Sequence, residues 1–355
     1  MLKVFWPIRV AFVYRRVEIR GVTLATYQRP VLKRKSSMPK ATLLAACIIF
    51  ISLQSAAYAA DGFYVNPGST AAQWVKTNPQ SPLTAKIQAS IAGVPSARWL
   101  TGTSQTTNKL TETVSHYVEA ANKADKIPIL VAYNLPGRDC SGGASAGGAA
   151  NAADYRDWID RFITGIGDKP AVVILEPDAL ADSECLPPQK RDERLALFNY
   201  AVSGFKQHAL STAVYLDAGN AGWKPSGTMA DYLNAAGMKN ARGFALNVSN
   251  FYTLDQSRIY GDAINATLSA DYGYAKSMVI DTSRNGNGAT SGDWCNPSGR
   301  KIGLQPQAIT PEVLAVWVKI PGNSDGSSSA TRNCHGGPAA GTFSPDLAEH
   351  LIDGN

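Results

Sequence analysis

Carboxylates recur in this sequence just after short apolar runs, a placement where chemistry is to be expected. Asp139 follows Ile127–Tyr133, inside the stretch Tyr133-Asn134-Leu135-Pro136-Gly137-Arg138-Asp139-Cys140. Glu176 and Asp178 follow Ala171–Leu175, Asp217 and Asn220 follow Ala213–Leu216, and Asn247 and Asn250 follow Gly243–Leu246. Asp281 follows Ser277–Ile280, and Lys319 closes a last run with Asn323 and Asp325 just beyond. Paired carboxylates can divide acid–base work, one protonated as donor and the other ionised as acceptor, as cleavage of a glycosidic bond requires. Basic residues are scarcer at these ends, which disfavours phosphate or nucleic acid as the ligand. Tryptophans close by favour a neutral sugar, whose rings stack on indole faces. Asp and Asn also cap helices that follow strands. Capping explains any one of these residues, but not six consecutive run ends of the same character.

The runs themselves fix how such residues are held. Ala97–Leu100, Ile127–Tyr133, Ala171–Leu175, Ala213–Leu216, Gly243–Leu246, Ser277–Ile280 and Leu314–Ile320 read as strands buried on both faces. Between them Leu110–Ala124, Tyr155–Gly165, Arg191–Ala209, Met229–Ala236 and Ile259–Tyr272 repeat apolar residues every three or four positions, the pattern of amphipathic helices. Alternation of this kind predicts an α/β fold, a single distorted parallel β/α barrel of about seven strands, whose site lies at the C-terminal ends of the strands. There is no Pro/Ser/Thr linker to divide it, and the glycine-rich stretches Gly142–Gly148 and Ser324–Ser329 read as loops within the domain.

Charge separates the chain into parts. The whole chain of 355 residues is net +6, but residues 1–60 hold ten Lys/Arg and one acid, while the remaining 295 hold 24 and 27. The basicity belongs to the N-terminus, and the body is net −3, so a polyanionic partner is not expected. Lys33-Arg34-Lys35 and Lys40 flank Met38, the apolar run Ala41–Leu53 follows, and Ala57-Tyr58-Ala59 supplies an A-x-A site. This predicts a signal peptide over 38–59 cleaved after Ala59, with 1–37 as an upstream extension and 60–355 as the folded domain. The run is short for a membrane span, and apolar residues continue past Cys47, unlike a lipoprotein box. We therefore expect a secreted protein with no stable membrane association after cleavage, and a monomer. Four cysteines remain: Cys140, Cys185, Cys295 and Cys334. Two disulfides are expected. Three pairings are possible, and 140–185 with 295–334 is preferred, each closing a loop of about 40 residues. No CxxC or Cys/His cluster is present, so no metal or other cofactor is expected.

The segments YNLPGRDC (133–140), ILEPD (174–178), YLDAGNAGW (215–223), DTSRNGNG (281–288), DWCNPSG (293–299) and WVKIPGNSDG (317–326), with FYVNP at 63–67, resemble glycoside hydrolase family 6. The resemblance covers roughly Asp61 to the C-terminus. It implies a secreted, inverting β-1,4-glucanase acting on cellulose or a related β-glucan. It makes Asp178 the general acid, and Asp139 or Asp325 the acceptor of the attacking water's proton. Tyr133 matches the tyrosine that distorts the sugar at the cleavage point, and Arg138 and Asp217 are read as orienting the carboxyl groups, with a structural salt bridge as the alternative for each. Trp74, Trp223 and Trp294 match sugar platforms, and Asn250 and Lys319 match polar contacts to sugar hydroxyls. Trp158 and Trp317 are read as core. Two positions depart from the family: Asn220 stands where His is usual and Asn323 where Glu is usual, which predicts altered substrate contact with the acid and base intact. The loop from Asp178 to Cys185 is short and the stretch from Asp325 through Cys334 to Pro345 is of middling length, which predicts a mostly open cleft and attack on internal bonds. The alternatives are a cellobiohydrolase of the same family and a non-catalytic glucan-binding protein.

Overall fold

The structure is a computed structural model that describes residues 17–19, 22–24, 62–102, 107–290, 292–329 and 334–355. The expected signal peptide and upstream extension lie outside the described residues, apart from two three-residue strands, β1 (Val17–Ile19) and β2 (Val22–Leu24), which pair antiparallel. The two strands fall in one compact unit, residues 1–53, and everything below concerns the other.

That unit is built on an eight-stranded sheet: β3 (Arg98–Thr101), β4 (Ile129–Tyr133), β5 (Ala171–Leu175), β6 (Thr212–Asp217), β7 (Gly243–Leu246), β8 (Ser277–Asp281), β9 (Gln307–Thr310) and β10 (Val313–Val316). The order is β3-β4-β5-β6-β7-β8-β10-β9. Every pairing is parallel except β9 on β10. The seven parallel strands are those the apolar runs predict. The eighth is additional, and its short, half-exposed Gln-Ala-Ile-Thr carries no run that would mark it. The sheet curls into a distorted barrel. Its first and seventh parallel strands meet not through a ladder but through Ala97 N donating to Trp317 O (2.8 Å) and the Trp99 indole donating to Val318 O (2.8 Å).

Side chains alternate across the curled sheet, as they must along any strand. Ile129, Val131, Tyr133, Val172, Ile174, Tyr215, Ala245, Val279, Leu314 and Val316 fill the inside. Leu130, Ala132, Val173, Leu175, Leu216 and Ile280 point out into the layer of helices. Those helices include α3 (Leu110–Lys123), α4 (Ala152–Ile166), α5 (Pro188–His208), α6 (Ser226–Ala235) and α7 (Leu254–Tyr272), which follow α1 (Thr70–Thr77) and α2 (Thr84–Ile87) in the chain. Trp158 on α4 and Trp317 after β10 are fully buried, as expected of core residues. Parity also aims Asp217 and Asp281, two residues beyond Tyr215 and Val279, toward the barrel interior at its C-terminal end.

Two features frame the rim. A small apolar cluster of Ala71, Ile87, Ile91, Ile320 and Ala348 packs α1, α2 and a C-terminal helix, α8 (Pro345–Asp353), beside the loop after β10. And the last strand ends at Val316, short of the expected Ile320, because Val318 N and Lys319 N turn to donate to Asp281. The Cys140–Cys185 and Cys295–Cys334 bridges are both formed, in the preferred pairing.

Candidate active site

The C-terminal ends of β4, β5 and β6 bring Tyr133, Asp139, Asp178 and Asp217 together. Asp178 lies three residues past β5 with φ +68°, and Glu176 before it has φ +52°. Left-handed backbone at two such residues is uncommon and is kept only where the surroundings over-determine it. Here the Asp178 amide donates to Asp217 Oδ1 (2.9 Å), which also accepts from Gly219 N (3.0 Å). Asp217 Oδ2 is buried with no hydrogen-bond partner. Burial, then the Asp217 charge, then the Asp139 charge raise the Asp178 carboxyl well above the ordinary aspartate range. Burial likewise pushes Asp217 up to about 7, against the pull of its two amide donors. Two neighbouring carboxyls, Asp217 fully and Asp178 partly buried, disfavour double ionisation, so the pair retains a proton into neutral pH.

Glu176 supports this corner from inside the barrel wall. It is fully buried, and its Oε2 accepts from Asn134 N (2.8 Å) and Leu135 N (2.9 Å), fixing the turn that leads from Tyr133 to Asp139. Burial raises it to about 7. Asp139 itself sits at φ +53° and accepts from Ser145 N. Burial raises its carboxyl too, opposed by that amide bond. The loop from Ser145 returns through Gly148, where Ala149 N donates to Asn134 O (2.8 Å). Only glycine fits at 148: φ is +99°, and a Cβ would lie 1.9 Å from Leu135 O. Asp182 accepts from Ser141 N (3.2 Å) and the Ser141 hydroxyl, and with the Cys140–Cys185 bridge ties this loop to the one after β5.

Arg138 lies over the Tyr133 ring, 4.5 Å from its centroid, and its hydrogen bonds go to the carbonyls of Tyr133 and Ser145. It orients the loop backbone and is not salt-bridged to a site carboxylate. Trp99 meets Tyr133 edge-on at 5.4 Å. Burial, first of all, raises the Tyr133 phenol, so it stays neutral at any working pH.

Asp325 has the opposite environment. Its Oδ2 pairs with Arg284 (2.8 Å) and accepts from Asn296 N (3.1 Å), and its Oδ1 pairs with Lys319 Nζ (2.9 Å). Burial alone would raise it, but the two cations outweigh burial and hold it below the ordinary range. Burial in turn lowers Lys319, though Asp325 pulls it back toward the charged form. Arg284 also lies over the Phe251 ring at 4.4 Å. The sequence places Arg284 within DTSRNGNG, yet gives it no role; only the fold brings it to Asp325.

The remaining candidates ring the same end. Trp223 and Trp294 are 39% exposed, unusual for indoles and suited to stacking. Trp74 is half-buried on α1 with Phe343 at 6.0 Å. Asn220 is nearly buried, and its Oδ1 accepts from Gly222 N (3.0 Å). Asn250 Oδ1 accepts from Phe251 N (2.9 Å). Asn323 Oδ1 takes the Thr70 hydroxyl (2.6 Å), so this amide joins the loop after β10 to α1.

A parallel barrel with a proton-retaining carboxyl pair and a separately ionised carboxylate on one rim carries the groups that a glycoside hydrolase of the acid–base type uses. The chain belongs to the family whose model is described as glycosyl hydrolases family 6, which matches residues 56–355. It is 46% identical over 322 residues to Endoglucanase 1 of Streptomyces halstedii, covering 88% of this chain and 98% of that one. It is 41% identical to Endoglucanase A of Thermobispora bispora, covering 86% of this chain and 65% of the relative. A protein of Neosartorya fischeri described as a 1,4-beta-D-glucan cellobiohydrolase C matches at 33% identity over 81% of this chain and 76% of its own. Among solved structures, the endoglucanase Cel6 from Mycobacterium tuberculosis, in complex with methyl-cellobiosyl-4-deoxy-4-thio-beta-D-cellobioside, superimposes with a TM-score of 0.74 at 40% identity, over 82% of this chain and 96% of that one.

Proposed function

We propose that this chain is a secreted, monomeric endo-acting β-1,4-glucanase that cleaves internal bonds of cellulose or a related β-glucan with inversion. The observation that carries this reading is the contrast between Asp178, which retains its proton, and Asp325, which is held ionised on the same rim. Asp178 donates to the departing glycosidic oxygen. Water attacks from the opposite face of the ring, and its proton passes to Asp139 or to Asp325. Tyr133 crowds the sugar at the cleaved bond, with Arg138 fixing the turn beside it and Asp217 sustaining the proton on Asp178. Trp74, Trp223 and Trp294 stack against sugar rings along the cleft, and Asn220, Asn250, Lys319 and Asn323 contact hydroxyls. The short connection after Asp178, which reaches Cys185 through one turn of 3-10 helix, supports endo action. The greater identity to endoglucanases than to the cellobiohydrolase supports the same reading. Residues 38–59 direct export, 60–355 form the enzyme, and 1–37 stand upstream of the start of the signal.

The decisive measurement is Asp178→Asn on a soluble β-1,4-glucan, with kcat expected to fall by about 10²- to 10⁴-fold and undiminished turnover refuting the acid. Asp139→Asn and Asp325→Asn, compared in the same assay, separate the two acceptors. Carboxymethyl cellulose should lose viscosity well ahead of reducing-end release; slow viscosity loss with early cellobiose would mean attack from chain ends.

A further inference from the structure

Asp281 ends β8, is fully buried, and fills both of its oxygens with backbone donors. Oδ1 accepts from Ser283 N (2.9 Å) and Val318 N (3.2 Å); Oδ2 accepts from Ser249 N (2.9 Å) and Lys319 N (3.0 Å). Three segments meet on this one carboxylate: the turn after its own strand, the loop after β7 and the chain leaving β10. Bonds from N–H to an ionised carboxylate are about twice as strong as neutral ones, and a buried charge is tolerated only when it is well solvated by such donors.

Two of the four donors belong to the residues that secure Asp325. Lys319 places its Nζ 2.9 Å from Asp325 Oδ1. Ser249 offers its carbonyl to one guanidinium nitrogen of Arg284, whose other nitrogen pairs with Asp325 Oδ2 at 2.8 Å. Ser249 stands at φ +56°, a conformation a serine keeps only when it is held there. Asn247, before it, also donates its side-chain amide to Asp281 O (2.9 Å). Both cations of Asp325 are thus referenced to a single buried group, one bond removed.

We propose that Asp281 is a positioning residue, which sets the backbone at Lys319 and Ser249 so that Lys319 and Arg284 grip Asp325 in its ionised form. It touches no substrate and acts only through that grip. The proposal rests on the reading of Asp325 as the ionised partner of Asp178. The charged groups facing Asp325 are Arg284 and Lys319; those facing Asp281 are Lys319 and, from β6, Asp217.

The test is Asp281→Asn, whose amide keeps one acceptor and turns a donor toward the N–H groups of the other pair. We expect kcat to fall roughly tenfold or more with KM changed less than about twofold, because an interaction that matters in the transition state is loosened. The acid limb of the pH–rate profile should move to higher pH, and the Asp325 carboxyl, followed by carbon NMR, should titrate at higher pH as its cations drift. A variant that is less heat-stable but has the parent's acid limb and the parent's Asp325 titration would reduce Asp281 to a structural group and overturn the proposal. Asp325→Asn run alongside separates the two claims: full activity there refutes the reading of Asp325, while the NMR shift in Asp281→Asn still reports on the grip. Should Asp281→Asn fail to fold, hydrogen exchange on the unmodified enzyme decides. The amides of Ser249 and Lys319 are expected to be protected as strongly as those of β8, and rapid exchange at either one overturns the proposal.

Discussion

Asp178 and Asp325 are the same residue type, and the difference between them lies in what surrounds each. Asp178 shares a buried corner with Asp217 and has no cation bonded to it; Asp325 has two cations and a backbone amide. The Asp217 charge is the second cause, after burial, that raises Asp178. Asp217→Asn removes that charge while its carbonyl oxygen can still accept the Asp178 amide. Asp178 should then ionise at lower pH. An acid works only while protonated, so the basic limb of the pH–rate profile should move down, with activity kept at acidic pH and lost at neutral pH. An unmoved basic limb would show that the two carboxyls titrate independently. Legibility at this scale was partial. Tyr133, Asp139, Asp178, Asp217 and Asp325 stand out as polar residues ending apolar runs, and the fold gathers them at one end. Glu176, Asp281 and Arg284 occupy equally visible positions, but nothing in their spacing says that their partners are backbone amides or Asp325.

The elements locate these groups through alternation and caps. All five predicted helices and all seven predicted strands exist, because buried parallel strands are written as continuous apolar runs and covering helices as three-to-four repeats. Boundaries moved where capping decided them. Helix α7 begins at Leu254, five residues before the expected Ile259, because Thr253 and Gln256 form a capping box. Helices α1 and α8 start after Ser69 and Ser344, whose hydroxyls accept from Ala72 N and Leu347 N, and both were too short to show a repeat. The Cys140–Cys185 bridge belongs to this scale as well, since it joins the loop bearing Asp139 to the loop after Asp178. Replacing both cysteines by serine should lower the free energy of unfolding by about 4 kcal/mol in the chain-entropy model. Urea denaturation measures it, and activity should fall in the folded protein as the Asp139 loop loosens. An unchanged urea midpoint would contradict this.

At the scale of the whole molecule, the described acids drawn from water at the barrel's C-terminal end outnumber the described cations that could balance them. Glu176 and Asp217 are pushed up to about 7, and Asp139 and Asp178 are raised; burial raises Asp281 as well, but its four amide donors favour the charged form. A carboxyl raised in the folded state binds its proton more tightly there than in the unfolded chain, where it titrates near 4. Its contribution to stability is complete below about pH 4 and is lost as pH rises through the folded-state value, which is about 7 for Glu176 and Asp217. Asp325, lowered, acts in the opposite sense, but only below the ordinary aspartate range. The midpoint of thermal unfolding should therefore fall between pH 5 and pH 8, by at least about 5 °C. A midpoint that rises over that interval, measured by calorimetry, would mean that the buried acids are ionised and balanced.

The amino-acid sequence by itself determined the class of fold, the run ends at which the candidate acids and bases gather, a preferred one of three pairings for the four cysteines and the types of residue available to act. Those are local properties: apolar periodicity, turn chemistry and the side chain that follows each run. Tertiary structure decided which carboxyl keeps a proton and which stays charged. Asp178 meets Asp217 across 39 residues, and Arg284 meets Asp325 across 41. Charge state depends on burial and on neighbours at a few ångströms, and those distances come into being only when the strands curl and their ends converge.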